Sequence, residues 1–269
     1  MKSAGPWNIW NGIKMMKGYE DLINRFVSDS REILSDRLTG IYLHGSMAMG
    51  CFNPDKSDID LIIVIDGDMT DGEKLRYLTM LMDLNGRAPE KGIEMSIVRF
   101  EDICPFIYPT PYIFHFSAAH VMAAAEDPLS YVRRMKGTDR DLAAHFTVIK
   151  KRGKVLFGKP VDEVFDVIDR KYYLDSILSD IEDAGTDILR DPVYFILNLL
   201  RVLAYIEDGQ VLSKREGGEW GISHLDRRWH DLINNALYEY GHSVKKEYSD
   251  KDLISFAGYM TDIIRIKTS

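Results

Sequence analysis

The sequence predicts an α+β fold, with a mixed sheet and its helices first and an all-α helical bundle after it. Three observations predict this. Apolar runs of strand length at residues 40–44, 58–65 and 92–98 are separated by segments whose apolar residues recur at helical spacing. Acids stand on two of these runs, close to a Gly-Ser pair that ends the other. Beyond Val161 every apolar pattern has the helical period.

In chain order, residues 19–38 read as an amphipathic helix through Leu22, Ile23, Phe26, Val27, Ile33 and Leu34. The strand Gly40-Ile41-Tyr42-Leu43-His44 follows and ends in Gly45-Ser46. The next strand runs from Asp58 to Ile65 around a buried Leu61-Ile62-Ile63-Val64 centre. Residues 71–85 read as a second helix, with Leu75, Leu78, Leu81 and Met82 on one side. In the strand at 92–98, Glu94 shares a face with Ser96 and Val98, while Ile93, Met95 and Ile97 face the other way. Pro105, Pro109 and Pro111 punctuate a loop before a short strand at 112–117. A helix at 139–152 is carried by Leu142, Ala143, Phe146 and Ile149, and 155–158 reads as a short strand or closing turn. Gly158-Lys159-Pro160 marks a boundary, which divides the chain into domains at 1–160 and 161–269.

The second domain opens with an acidic amphipathic helix at 172–188. Asp191-Pro192 starts the next, with Asp as N-cap and Pro at the first helical position. That helix runs through Phe195, Leu199 and Leu203, and Gly209 can end it. The stretch Lys214 to Gly218 reads as a loop. Helices at 229–240 and 250–266 complete a bundle of four or five.

Composition narrows the function. A net charge of −8 argues against a broad grip on nucleic acid, which needs many cationic contacts to phosphate. The same charge suits a small cationic substrate. Cys51 and Cys104 have no metal-ligand spacing and make no disulfide framework, so a reducing, cytoplasmic compartment is expected. Residues 1–18 lack the apolar stretch of a signal peptide. No run reaches the roughly 20 apolar residues of a membrane span. The seven histidines are scattered and read as structural or exposed.

The chemistry concentrates at three acids. Asp58 and Asp60, two residues apart on a strand, point to one face. Such a pair can hold Mg²⁺ through oxygen ligands and leave room for triphosphate oxygens. Gly45-Ser46 lets backbone and hydroxyl donors approach a phosphate closely. Glu94 supplies a third acid on a neighbouring strand. A lone acid reads as solvated or capping, and Asp-Ile-Asp alone as a strand with one wet face. The three together beside a Gly-Ser turn point to metal-dependent nucleotidyl transfer.

At these residues the chain resembles the nucleotidyltransferase superfamily that includes DNA polymerase beta. The pattern falls on Leu43-His44-Gly45-Ser46, on Ser57-Asp58-Ile59-Asp60-Leu61 and on Glu94. Further on, Thr138-Asp139-Arg140-Asp141-Leu142-Ala143-Ala144-His145 and Gly153-Lys154-Val155-Leu156-Phe157-Gly158 look like the aminoglycoside adenylyltransferases that modify streptomycin and spectinomycin. So do Asn198 to Tyr205 and Ser213-Lys214 with Trp220.

The resemblance implies a polymerase-beta-like mixed sheet, a helical bundle, ATP as co-substrate and Mg²⁺ as two ions. It implies metal ligation by Asp58 and Asp60, with Glu94 as catalytic base or, as in polymerase-like relatives, a further metal ligand. Nucleotide contacts fall on Gly45, Ser46, Ser57, Arg201, Lys214 and Tyr240, and contacts to the antibiotic on Asp187 and Asp191. Several of these have a plain structural reading too: Arg201 as a helix-surface partner, Lys214 as an exposed loop residue, Tyr240 as core and Asp191 as an N-cap. From Asp175 to Asp191 there are six acids and one base, which suits an acidic helix face or a polycationic ligand. Streptomycin-modifying members carry a tryptophan shortly after the strand at 112–117, where this chain has Ser117-Ala118-Ala119-His120. The implied activity is AMP transfer from ATP to a hydroxyl of a small cationic aminoglycoside or aminocyclitol, with no membrane partner. The alternatives are modification of a protein or RNA, and a silent nucleotide-binding protein of the same fold.

Overall fold

The computed structural model describes residues 18–268. The reading of the first residues as free of a signal peptide falls, for 1–17, outside them. The chain forms two compact units. Among the described residues, one runs to Asp139 and includes Arg152–Val167, and the other comprises Arg140–Lys151 and everything from Ile168 on.

The first unit begins with α1 (Glu20–Leu34), a 3₁₀ turn (Ser35–Arg37) and β1 (Leu38–Leu43). The helix expected to reach 38 stops at Leu34, because Ser35 turns to φ 49° and Leu38 already belongs to β1. Then come the one-turn α2 (Gly45–Ala48), β2 (Ile59–Ile65), α3 (Asp71–Asn85), β3 (Ile93–Arg99) and the short α4 (Phe100–Ile103). The α3 start is a capping box in which Thr70 and Glu73 each hydrogen-bond the other's backbone N–H. The strand expected at 112–117 divides into β4 (Thr110–Tyr112) and β5 (Phe114–Phe116). A 3₁₀ turn (Ala118–His120), α5 (Val121–Glu126), α6 (Pro128–Arg134) and β6 (Gly137–Asp139) follow. The start of α6 repeats the Asp-Pro signal, with Asp127 Oδ1 accepting from Ser130 N at 2.9 Å. After α7 (Leu142–Arg152), which lies in the second unit up to Lys151, β7 (Lys154–Gly158) and α8 (Val161–Val164) complete the first.

The main sheet has the order β5-β3-β2-β1-β7 and is mixed, as expected. Among the described residues its only parallel pair is β2 with β3, in a register that sets Asp60 opposite Glu94. Leu61, Ile63 and Ile65 of β2 join Ile93, Met95 and Ile97 of β3 in a core closed by Phe26 of α1 and Tyr77 and Leu81 of α3. Ile62, Val64 and Val98, on the other face, are equally buried. That two-sided burial explains why β2 reads as an unbroken apolar run. β4 and β6 make a separate antiparallel ribbon.

The second unit contains α9 (Arg170–Ser179), α10 (Ala184–Asp187), α11 (Pro192–Asp208), α12 (Lys214–His224), a 3₁₀ turn (Arg227–Trp229), α13 (His230–Gly241) and α14 (Asp250–Thr268). The helix expected at 172–188 is two, interrupted between Ser179 and Ala184. The stretch from Lys214 that reads as a loop is helical. Its glycines do not mark a turn; they let helices approach. A Cβ on Gly217 would lie 2.7 Å from Arg201 Cγ, on Gly218 2.4 Å from Leu237 Cδ2, and on Gly221 2.6 Å from Leu200 Cδ2. A Ser213–Glu216 capping box starts α12. α11 is apolar nearly all round and forms the centre of this unit's core. Among the described residues no helix is long and apolar enough to cross a membrane.

Candidate active site

β1 hands the chain directly to the site. The ladder continues one residue past Leu43, with His44 N donating to Asp60 O at 3.0 Å. The next residue, Gly45, has φ +60°, and a Cβ there would lie 1.8 Å from Asp60 Oδ2. Only glycine allows both the left-handed turn and this approach of backbone to carboxylate. α2 then begins, and Ser46 places its Oγ in a buried position without a hydrogen-bond partner. Ser57 closes the intervening loop: its Oγ accepts from Asn53 N at 3.2 Å and its N donates to Asn53 O at 2.8 Å.

Asp58 precedes β2, Asp60 is the second residue of β2, and Glu94 the second of β3. The parallel pairing sets Asp60 beside Glu94, and Asp58 shares the Asp60 face. One carboxylate oxygen from each of the three lies within 4.8 Å of the others, and all three residues are half-buried. Oxygens bound to one divalent cation at roughly 2.1–2.5 Å span at most about 5 Å, so this donor set has the dimensions of a cation site. Three carboxylates this close repel one another unless a cation balances them. The orphaned Ser46 Oγ and the cradle that Gly45 leaves at Asp60 fit a further, oxygen-rich anion at the same place.

Ser46→Ala removes no hydrogen bond, so the melting temperature should stay within about 1 °C of wild type, while the KM for ATP rises by about 2- to 10-fold, the worth of one hydrogen bond. Differential scanning fluorimetry with steady-state kinetics checks both; a destabilised variant with unchanged KM would make Ser46 a packing residue.

The other sequence-derived site residues lie in the second unit. Arg201 on α11 is held by two bonds, Nε to Leu212 O at 2.8 Å and Nη1 to Asn198 Oδ1 at 2.9 Å. Its fork is braced within its own unit rather than spread on a solvated surface. Lys214, at the first position of α12, stands over the Tyr194 ring at 4.7 Å. Tyr240 on α13 is half-buried and packs against the core. Asp187 ends α10 and is half-buried, with Thr186 Oγ1 3.4 Å away. Asp191 is exposed and caps α11, accepting from Tyr194 N at 3.1 Å.

Two acids not singled out from the sequence join the Arg201 group. Asp180, Asn198, Arg201, Tyr173 and Leu212 line one small pocket. Burial, then the nearby Asp141 carboxylate, pushes the Asp180 carboxyl up to about 6, against the pull of Arg201, His145 and Lys214. Asp141 itself accepts from Ser176 Oγ at 2.9 Å, with His145 Nε2 at 3.3 Å. Asp141 lay within a motif of the sequence; nothing local distinguishes Asp180 from its acidic neighbours.

The family model of a nucleotidyltransferase domain matches residues 25–108, and that of the aminoglycoside adenylyltransferase C-terminal domain matches residues 163–262. No curated protein matches the chain by sequence. In fold the chain is similar to the spectinomycin adenyltransferase AAD(9) from Enterococcus faecialis, solved with ATP and spectinomycin. The TM-score is 0.77 at 19% identity, over 91% of this chain and 98% of that one.

Proposed function

We propose, for a chain that belongs to the aminoglycoside adenylyltransferases of the nucleotidyltransferase superfamily, that it transfers AMP from ATP to a hydroxyl of a small cationic aminocyclitol or aminoglycoside such as spectinomycin or streptomycin. The observation that carries this reading is the convergence of Asp58, Asp60 and Glu94 beside the Gly45-Ser46 turn. Asp58 and Asp60 would hold Mg²⁺, two ions in the full reading, with Glu94 close enough to share in it. Bound there, the metal neutralises triphosphate charge and acts as a Lewis acid.

The chain's own groups do the rest. Ser46 Oγ donates to a phosphate oxygen, and Ser57 holds the loop that presents Asp58. Arg201 and Lys214 bring cationic charge to the triphosphate and stabilise pyrophosphate as it leaves. Tyr240 lies near the nucleotide. Glu94, when not occupied as a ligand, takes the proton of the acceptor hydroxyl as its oxygen attacks the α-phosphorus. Asp187 and Asp191 offer carboxylates to the ammonium groups of the acceptor. The name of the structural relative, a spectinomycin adenyltransferase, supports this acceptor class. We keep the division at residue 160 as the boundary between the nucleotidyltransferase and helical domains.

Incubation with Mg-ATP and spectinomycin or streptomycin separately tests the proposal, read as pyrophosphate release and mass of the drug. An adenylate gain on spectinomycin alone fits the absence of tryptophan from Ser117-Ala118-Ala119-His120. Gain on both makes that tryptophan dispensable. Gain on neither, with ATP bound, sinks this acceptor assignment.

A further inference from the structure

We infer that His120, backed by His115, binds the acceptor beside Glu94, exchanging a hydrogen bond with a hydroxyl or amino group of a small polyhydroxylated amine. The inference rests on the reading above for the presence of an acceptor at Glu94.

Register places these histidines. β5 runs antiparallel to β3, with Ser96 opposite His115 and Met95 opposite Phe116. The chain leaving β5 therefore travels back past Glu94 towards the start of β3. A Cβ on Gly92 would lie 3.0 Å from Ala118 Cβ, which confirms that path. The 3₁₀ turn ending in His120 thus stands at the end of the sheet that carries Asp58, Asp60 and Glu94. His115 Nδ1 is 2.9 Å from Ser96 Oγ, and Ser96 shares the Glu94 face two residues along.

Hydrogen bonding fixes which edge of His120 faces the protein. Tyr131 Oη donates to His115 O at 2.9 Å. The same oxygen lies 3.3 Å from His120 Nδ1, so Tyr131 joins the two histidines and engages the Nδ1 edge of His120. The Nε2 edge is left for a ligand. The two imidazole rings meet edge-on, 5.4 Å apart, and both residues are half-buried. An imidazole nitrogen on the face that carries Glu94 can exchange a hydrogen bond with a hydroxyl-bearing, amine-containing acceptor.

The test uses the full chain with Mg-ATP and, as probes, spectinomycin and streptomycin. His120→Ala should raise the KM for the acceptor about tenfold, the loss of one hydrogen bond to a charged group, while kcat and the KM for ATP move less than about twofold. His120→Gln, whose amide oxygen can accept, should recover most of it. Tyr131→Phe, which releases the Nδ1 edge of His120, should raise the acceptor KM by a smaller factor. An acceptor KM unchanged in His120→Ala overturns the inference, as does a uniform loss in every kinetic parameter. If the wild type adenylylates neither compound, the reading above falls, and titration decides the histidines separately. A ¹⁵N shift at His120 with either compound supports the site, and no shift with both overturns it.

Discussion

Asp60→Ala should lower AMP transfer by about 10³-fold or more in a protein that still folds. The magnitude is that of losing a ligand to a metal which, in the proposed mechanism, would supply several kcal/mol of transition-state charge stabilisation, at 1.36 kcal/mol per decade of rate. Asp60 is placed by backbone, not by its side chain: His44 N bonds its carbonyl, and parallel pairing sets it opposite Glu94. Those bonds survive the substitution. Removing one of three neighbouring carboxylates also relieves repulsion in the absence of metal. The melting temperature without Mg²⁺ should therefore hold or rise slightly, while pyrophosphate release disappears. A folded Asp60→Ala protein that keeps its activity would refute the mechanism outright.

Gly45→Ala should be nearly as damaging, by a different route. At φ +60° an alanine costs about 1–2 kcal/mol in backbone strain. Its Cβ would also fall 1.8 Å from Asp60 Oδ2, so the carboxylate must move. A displacement of about 1 Å at a catalytic group can cost about 10²-fold in rate, and we expect kcat/KM to fall by that order. Gly50 is the internal control. It has φ +76° but nothing within 4 Å of a Cβ, so Gly50→Ala should lose similar stability and keep most of its activity. Thermal melting and kinetics on the pair separate strain from displacement. Equal activities in the two variants would falsify the functional reading of Gly45.

The shared face of Asp58 and Asp60 was legible because its message is local. Two carboxylates two residues apart on a strand must share a face, whatever the strand pairs with. Asp191-Pro192 and Gly209 were legible for the same reason, since capping is decided within a turn of chain. α12 was not. Local rules treat Gly217, Gly218 and Gly221 as helix-weakening, and what outweighs them is the space that α11 and α13 leave no Cβ to fill. The stop of α1 at Ser35 and the break after Ser179 were equally invisible, because no proline or glycine marks them.

By itself, the sequence determined that Asp58 and Asp60 share a strand face beside a Gly-Ser turn, which face each strand presents and where α3 and α11 begin. Those properties follow from backbone periods that repeat every two or 3.6 residues. Only the tertiary structure decided that Glu94 stands in register with Asp60, that Gly45 closes on that carboxylate, that Asp180 and Asp141 share a charged group with Arg201, and that Tyr131 engages the Nδ1 edge of His120. Each of those relations joins residues far apart in the chain. Its geometry comes from strand pairing and close packing, which no local spacing encodes.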